Sequence, residues 1–397
     1  MTVTVSRSEV RAAAAGVAVT FGLNGVAVAT WFARVPAARD ALGLTPGALG
    51  LLLLSMSAGA FVAMLTAGEV THRLGPKRTV CVAVLAVSAG LAAAGVGIGA
   101  FPSVALTALG IFVLGYGSGL CDVAMNVEAA EVERALGKTV MPRFHAMWSL
   151  GTVAAAGLAS LVAWVVLPVT THLVVVAVLV AGGTLAAART YKLAGEAEHG
   201  RSSGVLAAWR EPRTLLIGLL VLVLAFTEGT ANDWVAVAFI DGYSFEPAMG
   251  ALVFAVFVTT MTFGRIFGTI ALDRWGRVPV LLVTMVLAAS GVALAVFGGS
   301  PVVAVAGVAV WGLGTALGFP VGMSAAADDP AHAAARVSVV AVIGYTAFLA
   351  GPPLVGFLGD EVGVLKALLV VPLLLLPALA LVPALRRPVA GGVKIGE

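Results

Sequence analysis

Polar side chains that could exchange protons or hydrogen-bond to a solute interrupt several long apolar runs of this sequence. Asp122 and Asn126 lie four residues apart in one run, and Glu228 and Asn232 show the same spacing in another, with Asp233 directly after. Residues four apart share a face of a helix, so each pair can present a carboxyl and an amide group together. The chemistry that these residue types predict is proton exchange beside hydrogen bonding to a polar solute.

The elements that must position these residues are membrane-spanning helices. Of the 397 residues, 60% are hydrophobic and only 11% are charged, and the mean hydropathy is +1.06. An integral membrane protein is typical of such a composition, since about 20 apolar residues cross a bilayer as a helix. We predict an all-α protein with twelve transmembrane helices, at residues 12–36, 46–70, 79–99, 102–126, 143–166, 168–188, 214–239, 247–268, 279–298, 301–324, 337–358 and 363–385.

The basic residues predict the orientation in the membrane. All but three of the 23 Lys and Arg residues fall in the N-terminus, the even-numbered loops or the C-terminus, and Arg265 is counted with these loop residues. The exceptions are Arg34, Arg39 and Lys366, while His172 falls in a turn on their side. Because basic loops stay in the cytoplasm, we expect both termini on the cytoplasmic side. The membrane is expected to be a bacterial-type inner membrane.

The chain reads as two copies of one unit. The polar interval 189–213 separates six predicted spans from six, and Arg73 and Arg274 lie in similar short loops on either side of it. Such duplications are the usual construction of secondary transporters. We therefore predict two pseudo-symmetric six-helix bundles, at 1–188 and 214–397, with 189–213 as a cytoplasmic linker.

The two short loops, "GEVTHRLGPKR" at 68–78 and "TIALDRWGRVP" at 269–279, carry a resemblance to the major facilitator superfamily over the whole chain. His72 stands where the family pattern has Asp, and Thr269 replaces its leading Gly. The stretches "GLCDVAMNVEAAEVERALG", "MPRFHAMWSLG", "EGTANDWVAV" and "YTAFLAGPPLVGFLGD" look most like the fucose-permease-like and YbjJ-type branch. The resemblance implies transport by alternating access, with gating residues at Arg73, Asp273, Arg274 and Arg277.

Three residues are our candidates for proton coupling: Asp122, Glu228 and His145. An antiparallel hairpin of spans 4 and 5 would bring His145 and Arg143 to a depth similar to that of Asp122. A partner at His145 would make Asp122 a proton site, whereas Arg143 would make it a gate or a static brace. Both alternatives stay open here. The later acidic residues Glu128, Glu131 and Glu133, with Arg134, are expected to form a solvated face.

The candidate substrate-binding residues are amides, aromatic rings and one acid at helical spacing within the spans. Asn24 and Glu228 occupy matching places in the repeat, which would set them across a central cavity. The full set is Asn24, Trp31, Asn126, Trp148, Asn232, Asp233, Trp234 and Tyr345.

The favoured function is a proton-coupled symporter for a small polar or amphipathic solute, with a sugar-like solute preferred. A proton-driven exporter of a drug or metabolite is the alternative, and a non-transporting membrane binding or sensor protein is the alternative of another class. No HExxH, GxSxG or phosphate-loop motif indicates an enzyme. We expect no cofactor, no metal and no nucleic-acid partner, and a monomer whose partners are the solute, protons and membrane lipid.

Overall fold

The computed structural model describes residues 6–137, 140–191, 205–329 and 332–386. Most of the predicted linker, 192–204, lies outside these residues. Nearly all of the described chain is helical, with no strand among these residues, which confirms the all-α class.

The helices up to residue 188 are called here the N-terminal set. They are α1 (Arg7–Phe32), α2 (Val35–Leu42), α3 (Pro46–Gly95), a π-helical turn (Val96–Ala100), α4 (Val104–Leu136), α5 (Met141–Trp164) and α6 (Val169–Ala188).

The helices from residue 205 onward are called the C-terminal set. They are α7 (Val205–Ala208), α8 (Pro212–Tyr243), α9 (Pro247–Trp275), α10 (Arg277–Phe297), α11 (Pro301–Thr315), α12 (Gly318–Ala326), α13 (Ala333–Val362), α14 (Val364–Ala367), α15 (Val370–Ala378) and a 3₁₀ turn (Leu379–Leu385).

Eleven continuous helical stretches of the described chain are long and apolar enough to cross a bilayer. The stretch Pro46–Ala100 has 55 residues and is broken at Gly75, where φ is 76° and ψ is 157°. Because 55 residues are far more than the roughly 20 that one crossing needs, this stretch supplies two spans. The total of twelve agrees with the sequence prediction. Large apolar side chains such as Leu65 (68% exposed) and Phe297 (71%) face outward, as expected of a surface that meets lipid.

Glycine allows the helices of each set to touch backbone to backbone. A Cβ on Gly90 would lie 2.5 Å from the carbonyl oxygen of Gly110, so α3 and α4 could not pack as they do with a larger residue. In the C-terminal set, a Cβ on Gly291 would lie 2.7 Å from the carbonyl oxygen of Gly307 on the neighbouring helix. Small residues at such crossings are the usual basis of helix association in lipid, where the hydrophobic effect does not hold helices together.

Backbone geometry recurs in the two sets at a spacing of 201 residues. Gly75 lies two residues after Arg73 and Gly276 two residues after Arg274, and their φ angles are 76° and 77°. Gly43 and Ser244 both end a helix in the left-handed region, at φ 62° and 55°. A left-handed conformation is uncommon for a residue other than glycine, so its appearance at Ser244 is a specific match.

The structure corrects three sequence predictions about polar residues. Arg265 lies inside α9, ten residues before its end, and does not belong to a loop. His172 is buried in α6 at 3% exposure, where its Nδ1 accepts a hydrogen bond of 3.0 Å from Nε of Arg34, itself 5% exposed. Glu128 is 1% exposed, so it is not part of a solvated face. In each case a run of apolar neighbours gave no signal of which polar side chain the tertiary packing encloses.

The rest of the predicted acidic face does lie at the end of α4. Glu131 pairs with Arg134, and the Glu133 carboxylate accepts hydrogen bonds from the backbone N–H groups of Val140 (2.7 Å) and Met141 (2.8 Å). These two bonds lower the pKa of Glu133, because they stabilise its charged form. Glu133 thereby satisfies backbone donors where α5 begins.

Candidate functional site

A cavity of about 290 Å³ lies between the two sets of helices. Aromatic and apolar side chains form most of its wall, among them Phe32, Phe61, Trp148, Tyr345 and Phe348. The polar lining residues come from both sets and are Ser57, Ser118, Asp122, Asn232 and Asp233. A mostly apolar cavity with a few polar groups is the usual form of a small-molecule site.

The first wall presents Asp122 on α4. Two glycines on the same helix face, Gly115 and Gly119, also line the cavity, and a Cβ on Gly115 would lie 2.1 Å from the carbonyl oxygen of Met56. This close approach of α3 fixes the position of α4. Asn126 Nδ2 donates to the Asp122 backbone oxygen at 2.8 Å and to its Oδ1 at 3.2 Å. Asn126 therefore orients the carboxylate and does not itself line the cavity.

The second wall presents Asn232 and Asp233 on α8. Both side chains line the cavity, and among the described residues none donates a hydrogen bond to the Asp233 carboxylate or forms an ion pair with it. Trp234, one residue further, is fully buried on the other side of the helix turn. Asp233 is thus a carboxylate whose bonding capacity is left for whatever enters the cavity.

Glu228, one turn before Asn232, is held by a cation that sequence reasoning placed in a loop. Arg265 Nη2 lies 2.9 Å from Glu228 Oε1, and both side chains are largely buried, at 28% and 18% exposure. Arg265 also lies within electrostatic reach of His145. Glu228 and Arg265 are oppositely charged residues of two consecutive spans, and this was the signal in the sequence that could have predicted the pair.

Asp122 forms neither of the pairs considered from the sequence. Its described hydrogen bonds involve Asn126 alone, and His145 instead packs edge-on against Phe21, with ring centroids 5.1 Å apart. Arg143 is exposed at the start of α5. The open question of the partner is therefore answered by an amide of the same helix.

Besides Asn126, the structure places three more of the predicted binding residues away from the cavity lining. Asn24 is 3% exposed and donates a long hydrogen bond of 3.5 Å to the Ser118 backbone oxygen. Trp31 and Trp234 are fully buried, and their indole N–H groups have no described partner. Tyr345, in contrast, lines the cavity within electrostatic reach of both Asp122 and Glu228. The lining residues that the sequence analysis did not single out include Phe32, Met56, Ser57, Phe61, Met64, Ser118 and Phe348.

One end of the cavity is closed by contacts between the two sets, and we call it the closed end. Arg39 Nη1 donates to both carboxylate oxygens of Asp241, at 2.7 and 2.6 Å. The backbone N–H of Gly47 donates to Asp360 Oδ2 at 3.0 Å. A third contact between the sets is the hydrogen bond of 2.9 Å that Ser160 Oγ, in the N-terminal set, donates to the backbone oxygen of Ala248, in the C-terminal set.

The opposite end carries the two motif loops and is called the motif end. There Arg277 and Arg213 bind the two oxygens of Asp328, at 2.7 and 2.8 Å, and all three belong to the C-terminal set. Burial by itself raises the pKa of Asp328, but the hydrogen bonds from the two guanidinium groups outweigh it, so the pKa is lowered.

Within the described parts of the chain, no hydrogen bond or ion pair joins the remaining predicted gating residues to the other set. Arg73 is 73% exposed and pairs with Glu69 on its own helix, and Arg274 lies over the ring of Trp275. Asp273 lines a second cavity at the motif end, beside Arg277 and Arg386.

Comparison with known proteins defines the class. The chain is 31% identical to the uncharacterized transporter y4wD of Sinorhizobium fredii, over 94% of this chain and 98% of the relative. It is 32% identical to an uncharacterized MFS-type transporter of Yersinia pestis, over 92% of this chain and 94% of the relative. The family model of the Major Facilitator Superfamily matches residues 217–395.

Solved structures share the fold at low sequence identity. The nucleoside transporter NupG superposes with a TM-score of 0.76 at 15% identity, over 93% of this chain and 98% of NupG. The E. coli fucose:proton symporter FucP gives a TM-score of 0.67 at 16% identity, over 94% of this chain and 98% of FucP. The curated relatives and the family model, rather than the fold alone, identify a multi-pass membrane transporter. The chain belongs to the major facilitator superfamily.

Proposed function

We propose that this protein is a proton-coupled symporter that takes up a small polar or amphipathic solute by alternating access. The observation that carries the proposal is one cavity that both sets of helices line, with Asp122 on one wall and Asp233 on the other. Contacts between the two sets close this cavity at one end. A rocking motion of one set against the other would expose the same cavity residues first to one side of the membrane and then to the other.

Asp122 is proposed as the proton carrier. An ionised carboxylate at membrane depth costs about 2.5–3.5 kcal/mol on insertion scales, and among the described residues the Asn126 amide alone bonds to the Asp122 carboxylate and offsets that cost. A bound proton removes the charge. Glu228, the other acid suggested by the sequence, already has Arg265 as its counter-ion, so its charge is neutralised without a proton.

The solute is proposed to bind among Trp148, Asn232, Asp233 and Tyr345. These side chains combine aromatic faces with hydrogen-bonding groups, which suits a ring that carries hydroxyl groups. The names of NupG and FucP specify a nucleoside and fucose, and both of those solutes contain a sugar. This similarity supports our preference for a sugar-like solute.

The orientation is part of the proposal. The excess of basic residues at the motif end favours its placement in the cytoplasm of a bacterial inner membrane, together with both termini. The closed end would then face outward, and the described conformation would be open to the cytoplasm. The matching backbone geometry at Gly75 and Gly276 supports two repeated units, at 1–188 and 214–397, joined by the segment 189–213.

An exporter of an amphipathic compound is the second candidate. It is favoured by the apolar part of the wall, where Leu53, Met56, Phe61 and Met64 lie together. Deletion of the gene would then sensitise cells to a toxic compound without impairing growth on any nutrient.

The experiment combines a ligand screen with transport. The purified protein is screened by thermal shift against sugars, nucleosides, amino acids and antibiotics, because any ligand of the folded state raises its stability by mass action. The best ligand is then tested in proteoliposomes for counterflow and for accumulation driven by an inward proton gradient. The wild type should show both. Asp122→Asn should retain counterflow and lose gradient-driven accumulation.

Glu246→Gln is the matched control, because this exposed residue forms no described side-chain bond where it precedes α9. It should accumulate the solute as the wild type does. Binding without counterflow in the wild type would instead identify a non-transporting sensor. Accumulation that persists in Asp122→Asn would remove Asp122 from the coupling mechanism.

A further inference from the structure

The charge of the cavity wall is one-sided. Its described lining includes two carboxylates, Asp122 and Asp233, and no Lys, Arg or His side chain. Arg265 is close by, but its charge is neutralised by Glu228. A negatively charged solute would meet two like charges there, whereas a cation would meet two opposite ones.

Asp233 differs from the other enclosed acids in having no partner. Glu228 is bound by Arg265 and Asp328 by two arginines, and even Asp241, which is exposed at the closed end, is bound by Arg39. None of the described residues plays this part for Asp233. A carboxylate in a largely apolar cavity is strongly destabilised unless it is paired or protonated. When it is ionised, Asp233 therefore needs a cationic partner, which a solute can bring into the cavity.

Aromatic rings line the same cavity as this carboxylate. Phe32, Trp148, Tyr345 and Phe348 line the same cavity, and ring faces attract ammonium groups through their quadrupoles. The volume of 290 Å³ is at the lower end of the range for ligand pockets, about 300–1,000 Å³, and suits a molecule of one or two small rings.

We infer that the transported solute carries a protonated amine, which Asp233 binds as an ion pair between the aromatic rings of the cavity. This inference rests on the proposed function and specifies the substrate class for the same cavity. Asp122 stays available for the coupling proton, because the amine and the proton bind different carboxylates. A cation and a proton can then travel together, as symport requires.

The test uses pairs of solutes that differ only in the charged group. Purified full-length protein at pH 7.5 is titrated with phenethylamine and 2-phenylethanol, and with glucosamine and glucose, while the melting temperature is followed. At least one amine should raise the melting temperature more than its neutral counterpart does. Asp233→Asn should weaken that amine's apparent affinity on the order of tenfold or more, since a charge-assisted bond is lost.

Asp233→Glu and Glu246→Gln are the controls. The first keeps the charge and should keep the preference for the amine, while the second should behave as the wild type does. Equal effects within every pair, including no effect from either member, contradict the inference, and so does a preference that persists in Asp233→Asn. Gradient-driven uptake of a neutral sugar would overturn the amine assignment and leave the proposed symport intact.

Discussion

The two walls of the cavity place acidic residues in the membrane in different ways. The α4 wall has one carboxylate, Asp122, oriented by an amide four residues further along the same helix. The α8 helix has two: Glu228 is enclosed with Arg265 of α9, whereas Asp233 lines the cavity with no ion-pair partner among the described residues. An ion pair stabilises a fixed structure, whereas an unpaired carboxylate is available to a proton or a solute. We therefore propose a structural role for Glu228 and functional roles for Asp122 and Asp233, although the three acids look alike in the sequence.

The largest expected effect comes from breaking the enclosed pair. Arg265→Met leaves Glu228 as a buried carboxylate without a counter-ion, which typically costs about 3–5 kcal/mol. Thermal unfolding of the purified protein should show a large fall in stability. Arg73→Met is the matched control, since Arg73 is 73% exposed, and its change should stay within about 0.5 kcal/mol.

A double variant separates the pair from the surrounding packing. Glu228→Gln combined with Arg265→Met removes both charges, so most of the lost stability should return. If Arg265→Met and Arg73→Met destabilised the protein equally, the pair would have no special role in the α8 wall.

The sequence predicted the helices and the acids better than it predicted their partners. Long apolar runs define spans regardless of how they pack, and the expense of a buried charge singles out Asp122 and Asp233. Partners depend on which helix faces lie side by side, and an apolar run carries no such information. For this reason the sequence analysis placed Arg265 in a loop, although it pairs with Glu228 inside the helices. It also predicted that Trp31 and Trp234 line the cavity, whereas packing buries both side chains.

A smaller effect is expected at the closed end, where Arg39 and Asp241 join the two sets of helices. Asp241→Asn removes an ion pair that is partly exposed, and such pairs contribute about 0.2–1 kcal/mol. This changes the ratio of open to closed molecules by up to about fivefold. The measurement places spin labels on Val166→Cys and Val302→Cys, two highly exposed positions, in a background without Cys81 and Cys121. A larger open fraction would appear as a longer distance between the two labels.

Asp40→Asn is the control for that measurement. Asp40 is the other partner of Arg39, but it lies on the same helix, so its loss should leave the distance distribution unchanged. Identical distributions in Asp241→Asn and in the wild type would show that the ion pair does not hold the end closed.

The smallest effect concerns the pH dependence of stability at the motif end. Because the native pKa of Asp328 is lowered, its contribution is fully present above the ordinary pKa of about 4 and is lost as the pH falls through the lowered native value. The stability advantage of the wild type over Asp328→Asn should be constant from pH 5 to 8 and should shrink below pH 4. An advantage that grows on acidification would contradict the assignment of Arg213 and Arg277 as its partners.

The most direct test of the account measures protons themselves. Proteoliposomes with a trapped pH indicator and no imposed gradient are given the solute identified by the ligand screen, on the outside. The account predicts that inward solute movement acidifies the lumen in the wild type, and that Asp122→Asn still admits the solute without acidification. Solute entry without acidification in the wild type, or equal acidification in Asp122→Asn, would contradict proton symport through Asp122.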